Sequence, residues 1–209
     1  NKDNKSLKEL NLIEVENLST KEDFVKYRAE SNSRALIKKF SNTNIYNNNM
    51  PKNSACKTLY EFAEKIRCEL LGSQILKGVE INFVDNYKNK LDELNKKLPK
   101  TKEDVSILEA FEIYMIKSLF NIKLNNSSKD ILNHWSSELD KAFQKHISFF
   151  KENLENQELY NHKISEILKD MDLFDSEDGT QNTDEKDDQD KMDNNQDKNS
   201  DENSNSDQE

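Results

Sequence analysis

A chain of 209 residues with 33% apolar residues, 34% charged residues and a formal net charge of −10 lies below the roughly 45–50% apolar content of ordinary globular domains. Residues 175–209 hold 14 Asp/Glu against 3 Lys, which leaves 27 acids and 28 bases in residues 1–174. The acidity thus belongs to the C-terminal stretch. A near-neutral body with 3 Arg among its bases argues against nucleic-acid binding, and two cysteines with no long apolar run exclude a disulfide scaffold and a membrane span.

Residues 1–18 are expected to be a flexible lead-in. Ser19 and Glu22 offer a capping box, from which a first helix is predicted to run to Phe40 through Phe24, Tyr27, Leu36 and Ile37. A polar loop, SNTNIYNNNMPK, follows and contains Pro51, one of two prolines. Ala55, Leu59, Phe62, Ala63, Ile66 and Leu70 then recur at helical spacing on one stripe about 100° wide. Arg67 and Glu69 fall at opposite edges of this stripe and Cys68 away from it, while Cys56 reads as a small core residue. Glu61/Lys65 and Glu64/Arg67 read as surface pairs worth about 0.2–0.5 kcal/mol each. Cys56 and Cys68, twelve residues apart on that helix, would be separated by about 18 Å, too far to bond.

Gly72 follows the last apolar contact of the second helix, where a left-handed residue ends a helix at little steric cost. Gly78 lies where a third helix starts or where two helices approach closely. The pair reads as a cap with a packing contact, or as a tight corner that displays Arg67, Glu69 and Lys77 to another subunit. The third helix carries Phe83, Tyr87, Leu91, Leu94 and Leu98 and ends at Pro99. Thr101 with Asp104 caps a fourth, holding Val105, Leu108, Phe111, Met115, Leu119 and Ile122. A fifth opens at Ser127 or Ser128 and holds Ile131, Trp135, Leu139, Phe143, Ile147 and Phe150. The last, about 156–173, presents Leu159, Ile164, Ile167, Leu168 and Met171. No strand pattern competes. The predicted fold is all-α, a bundle of about five to six helices over residues 19–174, followed by a disordered acidic tail over 175–209 whose composition cannot offset the entropy of ordering it.

Motifs for phosphate or dinucleotide binding are absent. His134, His146 and His162 are too widely spaced for a zinc signature and read as interfacial or surface residues. The many Asn and few Arg read as compositional habit. No catalytic, metal or cofactor site is expected in this segment, and the residues alone favour a helical interaction module.

The stretch EKIRCELLGSQILKGVEIN (64–82) nevertheless resembles the N-terminal region of the CobT family, subunits of the aerobic, ATP-dependent cobaltochelatase, in the pattern E-x-x-R-x-E-x-x-G followed by G-V-x-x-N. Glu64, Arg67, Glu69, Gly72, Gly78, Val79 and Asn82 carry it. TLYEFAEKIR resembles the family's alanine-rich helix, and Arg28, Glu30, Ala35 and Leu36 its first helix. Trp135 and the helices to Leu173 fit the expected order more loosely. Two departures stand out. Lys38-Lys39-Phe40-Ser41-Asn42 replaces a stretch in which family members carry histidines, so no role of those residues transfers. Family members also continue into a von Willebrand factor A-type domain with a D-x-S-x-S site, whereas DENSNS at 201–206 has the wrong spacing. Together with its initial Asn, this suggests an N-terminal piece of a longer protein.

What the resemblance implies is a cytoplasmic component of a three-part machine that inserts cobalt into a corrin ring, hydrogenobyrinic acid a,c-diamide, during cobalamin synthesis. Its partners would be an AAA+ chelatase subunit (CobS-like) and a large corrin-binding subunit (CobN-like), with ATP, Mg and cobalt required by the whole complex. Glu64, Arg67, Glu69, Gly72, Lys77 and Gly78 are the candidate subunit-interaction residues. An adaptor, a metal- or substrate-handling domain aided by the acidic tail, and an unrelated helical scaffold remain the three readings.

Overall fold

The computed structural model describes residues 20–94 and 101–171. The expected lead-in and acidic tail, the Leu98–Pro99 stop and Leu173 lie outside these. Helix α1 spans Lys21–Phe40, α2 Thr43–Asn49, α3 Ser54–Ile75, α4 Lys77–Glu93, α5 Ile107–Leu119, α6 Asn126–Asn133, α7 Ser136–Phe143, α8 Ile147–Glu152 and α9 Gln157–Asp170, with single 3₁₀ turns at Lys102–Asp104 and Gln144–His146. Among the described residues there is no strand, and the all-α expectation holds.

Local chemistry explains most helix starts. Thr20 and Asp23 form the capping box of α1, with Thr20 N donating to Asp23 Oδ2 at 3.0 Å and Asp23 N to Thr20 Oγ1 at 3.1 Å. The box therefore sits one residue beyond the expected Ser19–Glu22 pair, whose Ser19 lies outside the described residues. Asn42, Asn53, Asn125 and Asn156 cap α2, α3, α6 and α9 by accepting backbone N–H groups, a role in which Asn is among the best residues. Abundant asparagine thus has structural work at four helix ends. One of these, Asn125 rather than Ser127 or Ser128, opens α6, and Ser128 N donates to its Oδ1 at 2.9 Å.

Two predicted stretches divide. The polar loop after α1 contains α2, whose Tyr46 ring lies 5.1 Å from that of Tyr60 on α3. The predicted fifth helix becomes α6, α7 and α8. Its first break, at His134–Trp135, coincides with Trp135 Nε1 donating to the Val105 carbonyl at 3.0 Å, a tertiary anchor that overrides the helical period. Asn121 ends the α5 segment at φ 55°, a left-handed backbone that asparagine tolerates better than most residues.

Helix α3 is the hub. It packs against α1, α4, α5 and α9, and twelve of its residues, from Cys56 to Gly72, are buried. Such a helix is covered over most of its circumference, with Lys57, Thr58 and Glu61 left to solvent, instead of resting one narrow stripe on the core. Aromatic rings carry the core away from it in a row: Phe62 to Phe111 at 6.3 Å, Phe111 to Phe143 at 5.3 Å, Phe143 to Phe150 at 6.4 Å and Phe150 to Tyr160 at 5.1 Å. These tilted and edge-on contacts suit aromatic pairs. Phe24 and Leu159, expected on inward faces, are largely exposed.

Candidate functional site

The 64–82 stretch forms the last three turns of α3, the corner at Leu76 and the first turn of α4. Three of its charged side chains do not line a surface, while Lys77 and Glu80 do. Glu64, Arg67 and Glu69 are 3%, 1% and 1% exposed, so the Glu64/Arg67 surface pair and the displayed Arg67 and Glu69 expected from the helical stripe give way to an interior polar seam. The cause is the enclosure of α3: α1 and the α8–α9 turn cover the face that a one-sided helix would leave to water.

Every nitrogen of the Arg67 guanidinium donates a hydrogen bond. Its Nε donates to Glu64 Oε2 and its Nη2 to Glu64 Oε1, both at 2.8 Å. Nη1 donates to the carbonyl of Leu154 and Nη2 also to that of Phe40, again at 2.8 Å. Phe40 is the last residue of α1, where carbonyls lack intrahelical partners. Leu154 lies in the turn between α8 and α9. One guanidinium therefore ties α3 to two chain turns, 27 residues before it and 87 after it. Burial opposes the charge of Arg67, and the Glu64 carboxylate outweighs it and holds the group above its ordinary pKa. This two-point geometry is the strong form of the ion pair.

Cys68, fully buried beside the pair, has its thiol pushed up to about 12 by burial and by Glu64. That shift favours the protonated thiol at neutral pH. Cys56 packs in the core as expected, with Sγ 3.5 Å from the Leu168 carbonyl.

Glu69 makes a separate contact, accepting the hydroxyl proton of Tyr87 on α4, with Lys65 Nζ 3.9 Å away. Burial raises the Glu69 carboxyl above its ordinary pKa, while Lys65 and the Tyr87 hydrogen bond pull against that shift. A carboxyl whose folded pKa exceeds its unfolded value stabilises the fold fully below the unfolded pKa and loses that contribution as pH rises through the folded one. Glu69→Gln keeps an acceptor for Tyr87 and removes the titration. Relative to the native chain, its Tm should gain as pH rises from 4 to 8, as read by thermal melts across that range.

The two glycines part company. Gly72 is helical, within α3, and no described glycine has a positive φ, so the left-handed cap is not formed. Instead a Cβ at Gly72 would lie 2.4 and 2.5 Å from the Leu36 methyl carbons and 3.0 Å from its Cγ; α1 and α3 touch there because nothing intervenes. Gly78, by contrast, is the second residue of α4, exposed, with no atom within 4 Å of the Cβ position. It marks the start of a helix and no close approach.

At the corner itself Leu76 ends α3 and begins α4, with no side-chain cap. Leucine is a poor residue for that position, and its side chain is 55% exposed. Ile75 and Ile81 are 59% and 52% exposed, and Lys77 lies exposed between them. Three large apolar side chains within seven residues face water here. Sequence reasoning singled out Lys77 and Gly78 as candidates and passed over the apolar trio; the available signal was Leu76 standing where a capping residue belongs.

Among the described residues, no group of three or more His, Cys, Asp or Glu side chains could hold a metal ion, and no helix is long and apolar enough to cross a membrane. A cleft of about 750 Å³ between α1, α2, α3 and α5 has Ile37, Tyr46, Phe62 and Leu108 among its walls with Lys38, Glu61 and Lys65.

Fold and seam together define a helical bundle organised around one buried hub, with an apolar corner at its α3–α4 turn. The model of the family described as "Cobalamin biosynthesis protein CobT" matches residues 1–209, and the chain belongs to that family. Membership implies a role in cobalamin biosynthesis, with cobaltochelatase. Comparisons with curated proteins and with solved structures return no match.

Proposed function

We propose that this chain is an adaptor of the cobaltochelatase complex, joining an AAA+ ATPase subunit (CobS-like) to a large corrin-binding subunit (CobN-like) in the cytoplasm. The observation that carries this reading is the exposed apolar corner of Ile75, Leu76 and Ile81. Apolar side chains clustered on a surface mark interaction sites, and leucine at an uncapped helix start sacrifices local stability that a serine or asparagine would supply.

The buried seam supports the same reading in a different way. By tying Phe40 and Leu154 to α3, Arg67 holds the bundle rigid around the corner, so a load applied there passes to the whole body. Cobalt insertion requires the macrocycle to be distorted and its pyrrole protons removed. In this scheme ATP, Mg and cobalt act on the other subunits, and this chain transmits force between them. The full chain should co-purify with the AAA+ subunit, the large subunit, or both. Retention of neither on the immobilised chain would discard the adaptor reading.

A further inference from the structure

A pocket of about 200 Å³ adjoins the α3–α4 corner, lined by Phe40, Arg67, Leu71, Gln74, Ile75 and Glu155. It is far roomier than a single water, whose share of the liquid is about 30 Å³. It falls short of the roughly 300–1,000 Å³ that encloses a drug-sized molecule. Its size suits one side chain. Ile75 belongs both to this pocket and to the exposed apolar trio, so pocket and corner are continuous.

The lining divides by depth. Arg67 is 1% exposed and Leu71 is buried, which makes them the floor. Phe40, half-buried, and Ile75 are the apolar walls, and Gln74 and Glu155 are exposed at the mouth. A guanidinium carries five N–H donors. Arg67 spends four of them on oxygens: Nε and Nη2 on Glu64, Nη2 on Phe40 and Nη1 on Leu154. The fifth, on Nη1, finds no acceptor among the described residues. At the mouth, the Gln74 amide and the Glu155 carboxylate likewise have no side-chain partner among those residues.

We infer that this pocket receives an Asn or Gln side chain of the protein that docks on the Ile75, Leu76 and Ile81 corner. The inference rests on the adaptor reading and deepens it by naming what the partner inserts. A carboxamide supplies a carbonyl acceptor for Arg67 and N–H donors for Glu155, while its methylene stem lies against Phe40 and Ile75. A carboxylate would satisfy Arg67 but face Glu155, and the charge of Arg67 is already matched by Glu64. An ammonium or guanidinium would set its own donors against the Arg67 donor. A hydrocarbon side chain would leave that donor unpaired, and sites built around hydrogen bonds reject analogues lacking them. An anchor seated in such a pocket is the kind of contact that dominates interface energetics.

Two measurements on the 209-residue chain test this. In an NMR titration, isobutyramide should shift the Arg67 Nε–H and Ile75 methyl signals saturably. Isobutyrate at the same concentrations should shift them several-fold less. No saturable shift with isobutyramide, or an equal response to isobutyrate, would overturn the pocket. In co-purification with the AAA+ and large subunits, Gln74→Trp and Glu155→Lys should melt like the native chain yet retain several-fold less partner. Loss of capture by Ile81→Asp alone, with both pocket variants undiminished, would overturn the inserted amide and leave the adaptor reading standing. Capture of neither subunit by the native chain would discard the adaptor reading and the inserted amide together.

Discussion

Arg67→Ala should unfold this domain or leave it barely stable. Removing one partner of a buried ion pair costs about 3–5 kcal/mol because the other charge stays buried without compensation, and here the Phe40 and Leu154 carbonyls lose their donors as well. A domain's whole stability is of order 5–15 kcal/mol, so the loss is a large share of it. Urea denaturation followed by circular dichroism should show a markedly lower midpoint or no folded baseline. Arg67→Ala combined with Glu64→Gln should recover part of the loss, since the stranded charge is then gone. Near-native melting of Arg67→Ala would restore the surface placement that the helical stripe first suggested.

The second large effect lies at Gly72. Alanine normally gains about 1 kcal/mol over glycine in a helix interior, so a steric penalty must overcome that gain. The added Cβ meets the whole end of Leu36 at 2.4–3.0 Å, and Leu36 is itself buried. Overpacking of this kind costs typically about 1–3 kcal/mol. Gly72→Ala should therefore destabilise the fold, and Gly72→Val should do so further. Shortening the obstacle in a Leu36→Ala/Gly72→Ala double variant should give a loss smaller than the sum of the singles, the sign of two residues sharing one contact. Gly78→Ala, where the space is open, should be neutral or raise stability by about 0.4–1 kcal/mol. Chemical denaturation of these variants, with Leu36→Ala alone to complete the cycle, checks the contrast.

Much of the fold was legible because it is locally encoded. Helical spacing of apolar residues located α1, α3, α4, α5 and α9 to within a few residues, and Thr101 with Asp104 capped a 3₁₀ turn where a helix start was expected. The fusion of α6, α7 and α8 into one helix failed because no glycine or proline marks the breaks; Trp135 breaks the period by reaching Val105, thirty residues away. The seam was misread for a related reason. Glu64 and Arg67 at i and i+3 look like an ordinary surface pair, with Glu69 at the opposite edge of the apolar stripe, and nothing nearby announces that Phe40 and Leu154 will supply carbonyls to Arg67. The clues were indirect: Cys68 and Leu71 lie off the apolar stripe and are apolar too, and Gly72 has no cap to serve. The pattern Glu64, Arg67, Glu69 and Gly72, read as possible docking residues, reports instead on how tightly α3 is held.

A division of labour follows. Residues facing inward along α3 set stability, and the exposed trio at its end is free to meet a partner. Substitutions in the two groups should separate cleanly: the first lowers melting, the second leaves melting alone.

The most direct measurement is co-purification of Ile81→Asp and Ile75→Asp variants of this 209-residue chain with the AAA+ and large subunits, beside thermal melts of each variant alone. Both variants should melt within a degree or two of the native chain, since these side chains are more than half exposed and surface changes typically stay within about 0.5 kcal/mol, yet retain far less of the partner that the native chain captures. Undiminished capture by both variants would contradict the assignment of the α3–α4 corner as the docking surface.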